Sequence, residues 1–243
     1  MIRALRYVIS LLVFTGINAS RVLVAALFGV RRKPGGVYDR AGRDWGRQML
    51  SAVGIRATVR GAARLPPGPA VFVANHVSFA DIWVLLAVLP GTVRFLAKRE
   101  LLRWPLFGWA MKSAGHIPIN RQNRGAAFGA YDEAAEMIHG GTSAIVFGEG
   151  TRSRDGQLKP LKKGPFVLAI KAGVPVVPVY LHGTYEAMPK GSINPRPLPV
   201  VVSIGEPIPT AGLDYEGREQ LALQCHAALL ALRDHVDAGV VAG

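Results

Sequence analysis

His76 and Asp81 form the most chemically suggestive pair in the chain: an imidazole that exchanges protons near neutral pH and a carboxylate able to orient it. In one uninterrupted helix, residues five apart point about 140° away from each other, so a single helix cannot join them. They meet if His76 sits on a strand-to-helix turn and Asp81 lies in the first helical turn, with Ser78 as the cap. Two readings follow. In the first, Asp81 simply completes a capping box with Ser78, leaving His76 a loop histidine. Alternatively, Asp81 takes one imidazole nitrogen and His76 uses the other as a general base. No second histidine stands at a ligand-like interval, so a metal site is not expected.

A second constellation is Glu149, Gly150, Thr151 and Arg152, directly after an apolar run. The glycines at 148 and 150 allow a tight turn that exposes backbone N–H groups, and Glu149 and Arg152 place opposite charges on one loop. Taken by itself, this loop also fits a surface turn with a local ion pair. It lacks the Gly-Lys-Ser/Thr ending of a phosphate-binding P-loop, so ATP is not implied. Lys98 and Arg121 each close a β-type run, and the ends of strands in α/β sheets are where ligands usually bind.

The elements needed to position these groups are legible as alternating patterns. Short β-type runs occupy residues 55–59, 70–74, 93–97, 143–147, 176–181 and 200–204, with a shorter run at 116–119. Helical patterns lie at 36–54, 82–89, 105–113, 124–139, 162–172 and 217–237, leaving 238–243 as a fraying tail. This alternation predicts an α/β fold, a mostly parallel or mixed central sheet flanked by helices. The organisation expected is an arm over residues 1–33 and one α/β domain over 34–243.

That arm holds Arg3, Arg6, Arg21, Arg31, Arg32 and Lys33, with no acid. Two apolar stretches, 7–15 and 22–30, are separated by Gly16, Asn18, Ser20 and Arg21. A continuous helix over 7–30 would be about 36 Å long, enough to cross a tilted bilayer. Arg21 would then sit in the apolar layer at about 2.5–3.5 kcal/mol. Two short helices dipping into one leaflet avoid that, and basic flanks at both ends suit both ends staying on the cytoplasmic face. A monotopic or re-entrant arm at the cell membrane is therefore favoured over a full span; a cleaved signal peptide is the third option.

Composition narrows the class. The chain has 243 residues, half of them hydrophobic, with 29 Lys and Arg against 16 acids and a formal charge of +13. Mean hydropathy is +0.25. Disorder is excluded, and the field attracts anions. High apolar content together with dispersed positive charge points to an anionic membrane surface and not to nucleic acid. Cys225, the lone cysteine, excludes an internal disulfide and any multi-thiolate metal site.

Taken in order, four blocks resemble the bacterial 1-acyl-glycerol-3-phosphate acyltransferases of the glycerophospholipid acyltransferase superfamily. They are Asn75-His76-Val77-Ser78-Phe79-Ala80-Asp81, Gly115-His116-Ile117-Pro118-Ile119-Asn120-Arg121, Phe147-Gly148-Glu149-Gly150-Thr151-Arg152-Ser153 and Val174-Pro175-Val176-Val177-Pro178-Val179. The segment from Lys98 to Leu101 also looks like the family's, and the likeness runs from about Trp45 to Leu213. Gly148 replaces the family's usual proline, and Asn120 stands where aspartate is frequent.

The resemblance implies transfer of an acyl group from a thioester, acyl-CoA or acyl carrier protein, to the sn-2 hydroxyl of lysophosphatidate, giving phosphatidic acid. His76 would be the base and Asp81 its orienting partner. Lys98, Arg121 and Arg152 would hold the phosphate, with Glu149 on the glycerol hydroxyl or on Arg152. Backbone N–H groups at Gly150 and Thr151, or in the helix after His76, are the expected oxyanion donors. No cofactor or metal is expected. Rival readings are acylation of glycerol-3-phosphate or another lysolipid, a hydrolase (although no G-x-S-x-G elbow is present) and, more distantly, a non-enzymatic basic membrane-binding protein.

Overall fold

A computed structural model describes residues 2–119 and 124–240. In chain order the elements are α1 (Ile2–Leu27), α2 (Val37–Val53), β1 (Arg56–Arg60), β2 (Val71–Ala74), α3 (Ala80–Val88), β3 (Val93–Lys98), α4 (Phe107–Ala114) and β4 (Ile117–Ile119). There follow α5 (Arg124–His139), β5 (Ser143–Phe147), α6 (Gly164–Ala172), β6 (Val176–His182), α7 (Thr184–Ala187), β7 (Pro199–Ile204) and α8 (Arg218–Val240). From α2 onward these bounds lie within two residues of those read from the pattern, except that α7 was not expected and α8 continues to Val240 where a fraying tail was expected.

Among the described residues the strands form one seven-stranded sheet in the order β1-β7-β6-β2-β5-β3-β4. The β6–β7 pair is antiparallel. The other pairings are parallel, so the sheet is mixed. Strand residues alternate between two cores. Phe72, Ala74, Phe95 and Phe147 pack beneath α2 and α3 with Trp45, Met49 and Trp83. Val71, Val73, Leu96 and Val146 pack on the opposite face with Ile138 of α5, Phe166 of α6 and Leu229 of α8. Central strands buried on both faces require such continuous apolar runs.

The order of β6, β2, β5 and β3 matters for function. The connection leaving β2 passes through α3 to β3 on one side, and that leaving β5 passes through α6 to β6 on the other. The two helices cover opposite faces. Connections departing in opposite directions open a crevice above the carboxyl ends of β2 and β5, a topological switch point.

The amino-terminal segment departs from the hairpin expectation: residues Ile2–Leu27 form one unbroken helix. The polar residues that read as a break find partners instead. The Asn18 amide donates to the Phe14 carbonyl at 2.9 Å and to Gln48 Oε1 at 2.7 Å. Arg21 pairs with Asp44 at 2.8 Å and with Asn18 Oδ1 at 2.9 Å. Because α2 supplies those partners, the backbone of α1 has no reason to turn. Small residues let α1, α2 and α4 approach closely, with Ala19, Ala25, Ala41, Ala110 and Ala114 buried together.

A buried ion pair ties these helices to the sheet. Arg94 of β3, 4% exposed, lies 2.7 Å from Asp39 of α2 and donates to the carbonyls of Ala114 and Val93. The other Asp39 oxygen accepts from Gly35 N at 2.8 Å and Thr92 Oγ1 at 2.6 Å. Removing one member of such a pair leaves an uncompensated charge in the interior. Asp39→Ala is accordingly expected to lower stability by about 3–5 kcal/mol in urea unfolding.

Candidate active site

β2 and β5 are hydrogen-bonded neighbours with Ala74 opposite Phe147. Two residues beyond those ends stand His76 and Glu149, so sheet register brings the first and third sequence blocks together. Asn75 extends the join by one more step. Its amide donates to the Leu181 carbonyl at 3.1 Å and its Oδ1 accepts from Leu181 N at 2.8 Å, holding the end of β2 to β6.

His76 is held from every side but one. Its backbone N–H donates to Glu149 Oε1 at 2.8 Å, and its carbonyl accepts from Ser153 N at 2.8 Å. The imidazole stacks on Phe147 with ring centroids 3.7 Å apart and planes 10° from parallel. Nδ1 lies 2.7 Å from Asp81 Oδ2. That same oxygen accepts from Val77 N at 2.9 Å and Ser78 N at 2.8 Å. An oxygen already receiving two backbone donors has no room for a proton of its own, so the hydrogen of the third bond belongs to Nδ1. Nε2 is left with a free lone pair.

The two readings of this segment therefore hold together. Ser78 Oγ accepts from Ala80 N at 3.0 Å while Asp81 accepts from Ser78 N, one half of a capping box; the other half is not made, because the helix begins at Ala80 and its N-cap is Phe79, not Ser78 as expected. Ser78 Oγ also donates to the Met188 carbonyl at 2.7 Å. The cap locks the turn, and the locked turn aims the carboxylate at the imidazole.

Glu149 has a different place from the one expected. Only 3% exposed, it spends Oε1 on His76 N and turns Oε2 to Lys159 N at 3.2 Å. Burial is the main cause that raises its pKa, against the lowering effect of the two backbone donors. Both oxygens thus hold backbone donors, one of them the N–H of His76, and no ion pair with Arg152 is formed. The Gly150 N–H likewise closes a turn onto the Phe147 carbonyl at 3.1 Å and is not a free oxyanion donor. Gly148 keeps its N–H for the Ala74 carbonyl at 3.0 Å, a bond that proline could not make.

Above the dyad opens a groove of about 440 Å³. Its lining includes His76, Lys98, Gly150, Thr151 and Arg152. The rest is mostly apolar: Ala19 and Val22 of α1, Trp45 of α2, Phe79 before α3 and Ile82 within it, and Phe107 and Met111 of α4, with Thr15 and Asn18 of α1 as polar members. Lys98 is largely exposed and sits 3.5 Å from Glu100, a pair worth little in water. Arg121 lies outside the described residues. Tyr7 connects α1 to this region: its ring is 5.9 Å from that of Trp83, and it feels the positive charge of Arg152. The stacking of Phe147, the Ser153 clamp and the groove walls had not been anticipated from sequence. Only the small residues at helical spacing, such as Ala110 and Ala114, carried a signal for the walls.

His116 also lines the groove and is bound in the opposite sense to His76. Its Nδ1 accepts from Phe95 N at 3.0 Å. Burial among apolar groups, reinforced by Arg94, pushes its pKa down to about 3. Such a histidine stays neutral in the folded chain and protonates far more readily when unfolded. It contributes stability that is complete above about pH 6.5 and is lost as pH falls toward 3. His116→Asn should therefore reduce the loss of unfolding free energy between pH 6.5 and 3; an unaltered pH slope would contradict this assignment.

A histidine and carboxylate dyad thus stands at the switch point of an α/β sheet and faces a largely apolar groove that Lys98 and Arg152 also line. The chain belongs to the family described as Acyltransferase, whose pattern matches residues 56–182, just over half of it. Among its relatives is a 1-acyl-sn-glycerol-3-phosphate acyltransferase of Cocos nucifera, 33% identical over 198 residues that cover 81% of this chain and 63% of that protein. The alpha form of the same enzyme in Homo sapiens is 36% identical over 179 residues, 73% of this chain and 63% of that one. The crystal structure of the 1-acyl-sn-glycerophosphate (LPA) acyltransferase PlsC from Thermotoga maritima superposes with a TM-score of 0.74 at 28% identity, covering 96% of this chain and 95% of that one. The chain spans between 39% and 63% of the length of the curated relatives it matches.

Proposed function

We propose that the chain transfers a fatty acyl group from a thioester, acyl-CoA or acyl carrier protein, to the sn-2 hydroxyl of lysophosphatidate, yielding phosphatidic acid. The observation that carries this reading is the 2.7 Å bond from His76 Nδ1 to Asp81 beside a largely apolar groove. An aliphatic hydroxyl needs its proton removed as it attacks. His76 Nε2 takes that proton while the hydroxyl oxygen bonds to the thioester carbon. The C–S bond then breaks, and the imidazolium returns the proton to the departing thiolate. Asp81 stabilises the imidazolium without itself becoming protonated, as the buried carboxylate does in a serine triad. The acceptor supplies the nucleophile, so no acyl-enzyme is required and the chemistry calls for neither cofactor nor metal.

Arg152 and Lys98 in the groove lining suit the acceptor phosphate, since a guanidinium meets phosphate oxygens in bidentate fashion and an ammonium adds a point charge. Arg121 is assigned to the same phosphate on its place in the second sequence block alone. The apolar groove suits the acyl chain.

The apolar helix α1 supports a membrane location, which we place at the cytoplasmic face of the cell membrane. It is long and apolar enough to cross a bilayer. Yet Tyr7, Asn18, Ala19, Val22 and Ala25 are buried against the rest of the chain, while Ile2, Leu5, Ile9, Leu12 and Leu27 are exposed. A helix docked along one side and bare along the other fits a monotopic arrangement, lying in the interface with its bare face in lipid. Trp104 and Trp109, both exposed, suit the same interface.

His76→Ala should lower kcat by about 10²–10⁴-fold with folding and vesicle binding unchanged, and full turnover by that variant would remove the proposed base. Arg152→Ala is expected to raise KM for lysophosphatidate at least about tenfold, in keeping with the loss of a charged hydrogen bond. Removing α1 would strip packing from α2 and α4, so vesicle binding is better tested with Leu5→Glu and Leu12→Glu together. Co-sedimentation with anionic vesicles should then drop while thermal unfolding is unaltered; undiminished binding would move the anchor elsewhere.

A further inference from the structure

Four rings line one side of the groove in succession. His76 stacks on Phe147 at 3.7 Å, Phe147 on Phe95 at 5.7 Å, and Phe95 on His116 at 6.0 Å between centroids. The two terminal imidazoles are fixed in opposite tautomers. His76 gives its Nδ1 hydrogen to Asp81 and keeps a bare Nε2. His116 receives the Phe95 N–H at Nδ1, so its neutral ring carries the hydrogen on Nε2. No partner for that Nε2–H exists among the described residues, and its atom is not sealed within the protein, since the ring lines the groove.

Building on the acyl-transfer reading above, we infer that His116 determines which acyl chains the groove accepts: its Nε2–H disfavours saturated methylenes lying over it and favours chains that bring a hydrogen-bond acceptor to that depth. The physical reason is the asymmetry of buried donors. A methylene chain covering the N–H displaces water and returns nothing, while a hydroxyl oxygen makes a full bond and the π-face of a cis double bond a weaker one. Protonation does not relieve the site, because the apolar surroundings and Arg94 hold the ring neutral. Among the described residues, Phe95, Ala110, Met111 and Ala114 are apolar members of the same lining, and no hydrogen bond joins the Nε2–H to the Thr15 and Asn18 side chains that line the groove with them.

The test uses the full chain with lysophosphatidate in anionic vesicles and a series of acyl-CoA donors. The donors are saturated chains from octanoyl to stearoyl, the cis-monounsaturated counterparts of the longer ones, and mid-chain hydroxylated forms. His116→Phe removes the donor and makes the wall apolar. His116→Asn keeps an acceptor near the Nδ1 position for Phe95 N–H and draws the remaining donor, now an amide NH2 on a shorter side chain, back from the Nε2 position, separating the groove role from the backbone bond. In the unaltered chain, kcat/KM for long saturated donors should fall below that for hydroxylated donors of equal length by about tenfold, with unsaturated donors between them. Both substitutions should bring these ratios toward one, Phe chiefly by raising transfer from long saturated donors. Donors too short to reach His116 should keep their relative rates. A purely structural role would depress every donor together and leave the ratios intact, which would overturn the inference, as would ratios identical in all three proteins. Absence of transfer from every donor in the unaltered chain would instead overturn the acyl-transfer reading, and the role of His116 with it.

Discussion

Three hydrogen bonds converge on a single oxygen of Asp81, and the arrangement of the site follows from that convergence. Two of the donors are backbone N–H groups of the turn after β2, so the carboxylate shapes the turn that carries His76 before it does anything else. The third is the imidazole. Because the backbone donors cannot yield a proton, they dictate the histidine tautomer, and the tautomer leaves the lone pair on Nε2. Glu149 completes the constraint from β5 by holding the backbone of the same histidine. A buried carboxylate is expensive to maintain, and here each of the two acids is repaid through backbone donors, not through a cation.

Those constraints depend on the sheet order. Parallel pairing of β2 with β5 sets the ends of both strands side by side, and the opposite departures of α3 and α6 leave the space above them open. The helices α1, α2 and α4 then wall that space with small and aromatic residues, while Arg94 and Asp39 pin their bases to β3. Cationic side chains, Lys98 and Arg152, and apolar surface share the lining of that groove, which is why the proposed acceptor combines an anionic head with a hydrocarbon chain. The helix that carries the bare apolar face is also the one that contributes Ala19 and Val22 to the wall. The exposed apolar face and the groove wall are thus two sides of one helix.

Much of this was legible in the sequence because the strands are short, apolar and well separated by turn residues. Residues 143–147 and 124–139 were delimited as the structure has them. The pairing of His76 with Asp81 was also within reach, since it needs only a local turn. Three features were not. The break at Gly16 to Arg21 looked like a helix end because the partners that neutralise Asn18 and Arg21 lie 30 and 23 residues away on α2. Glu149 looked like a substrate ligand because a charge on a glycine loop carries no mark of the backbone donors that claim it. The tautomer of His116 depends on the Phe95 N–H that its ring meets from the neighbouring strand, a tertiary fact with no local pattern.

The most direct test of this account is the ¹⁵N NMR spectrum of the selectively labelled imidazole of His76, assigned by its disappearance in His76→Gln and recorded at neutral pH without substrate. The account predicts a hydrogen on Nδ1 and an unprotonated Nε2, with the Nδ1 proton shifted far downfield by its bond to Asp81. A ring carrying its hydrogen on Nε2, or averaging freely between the two nitrogens, would contradict it.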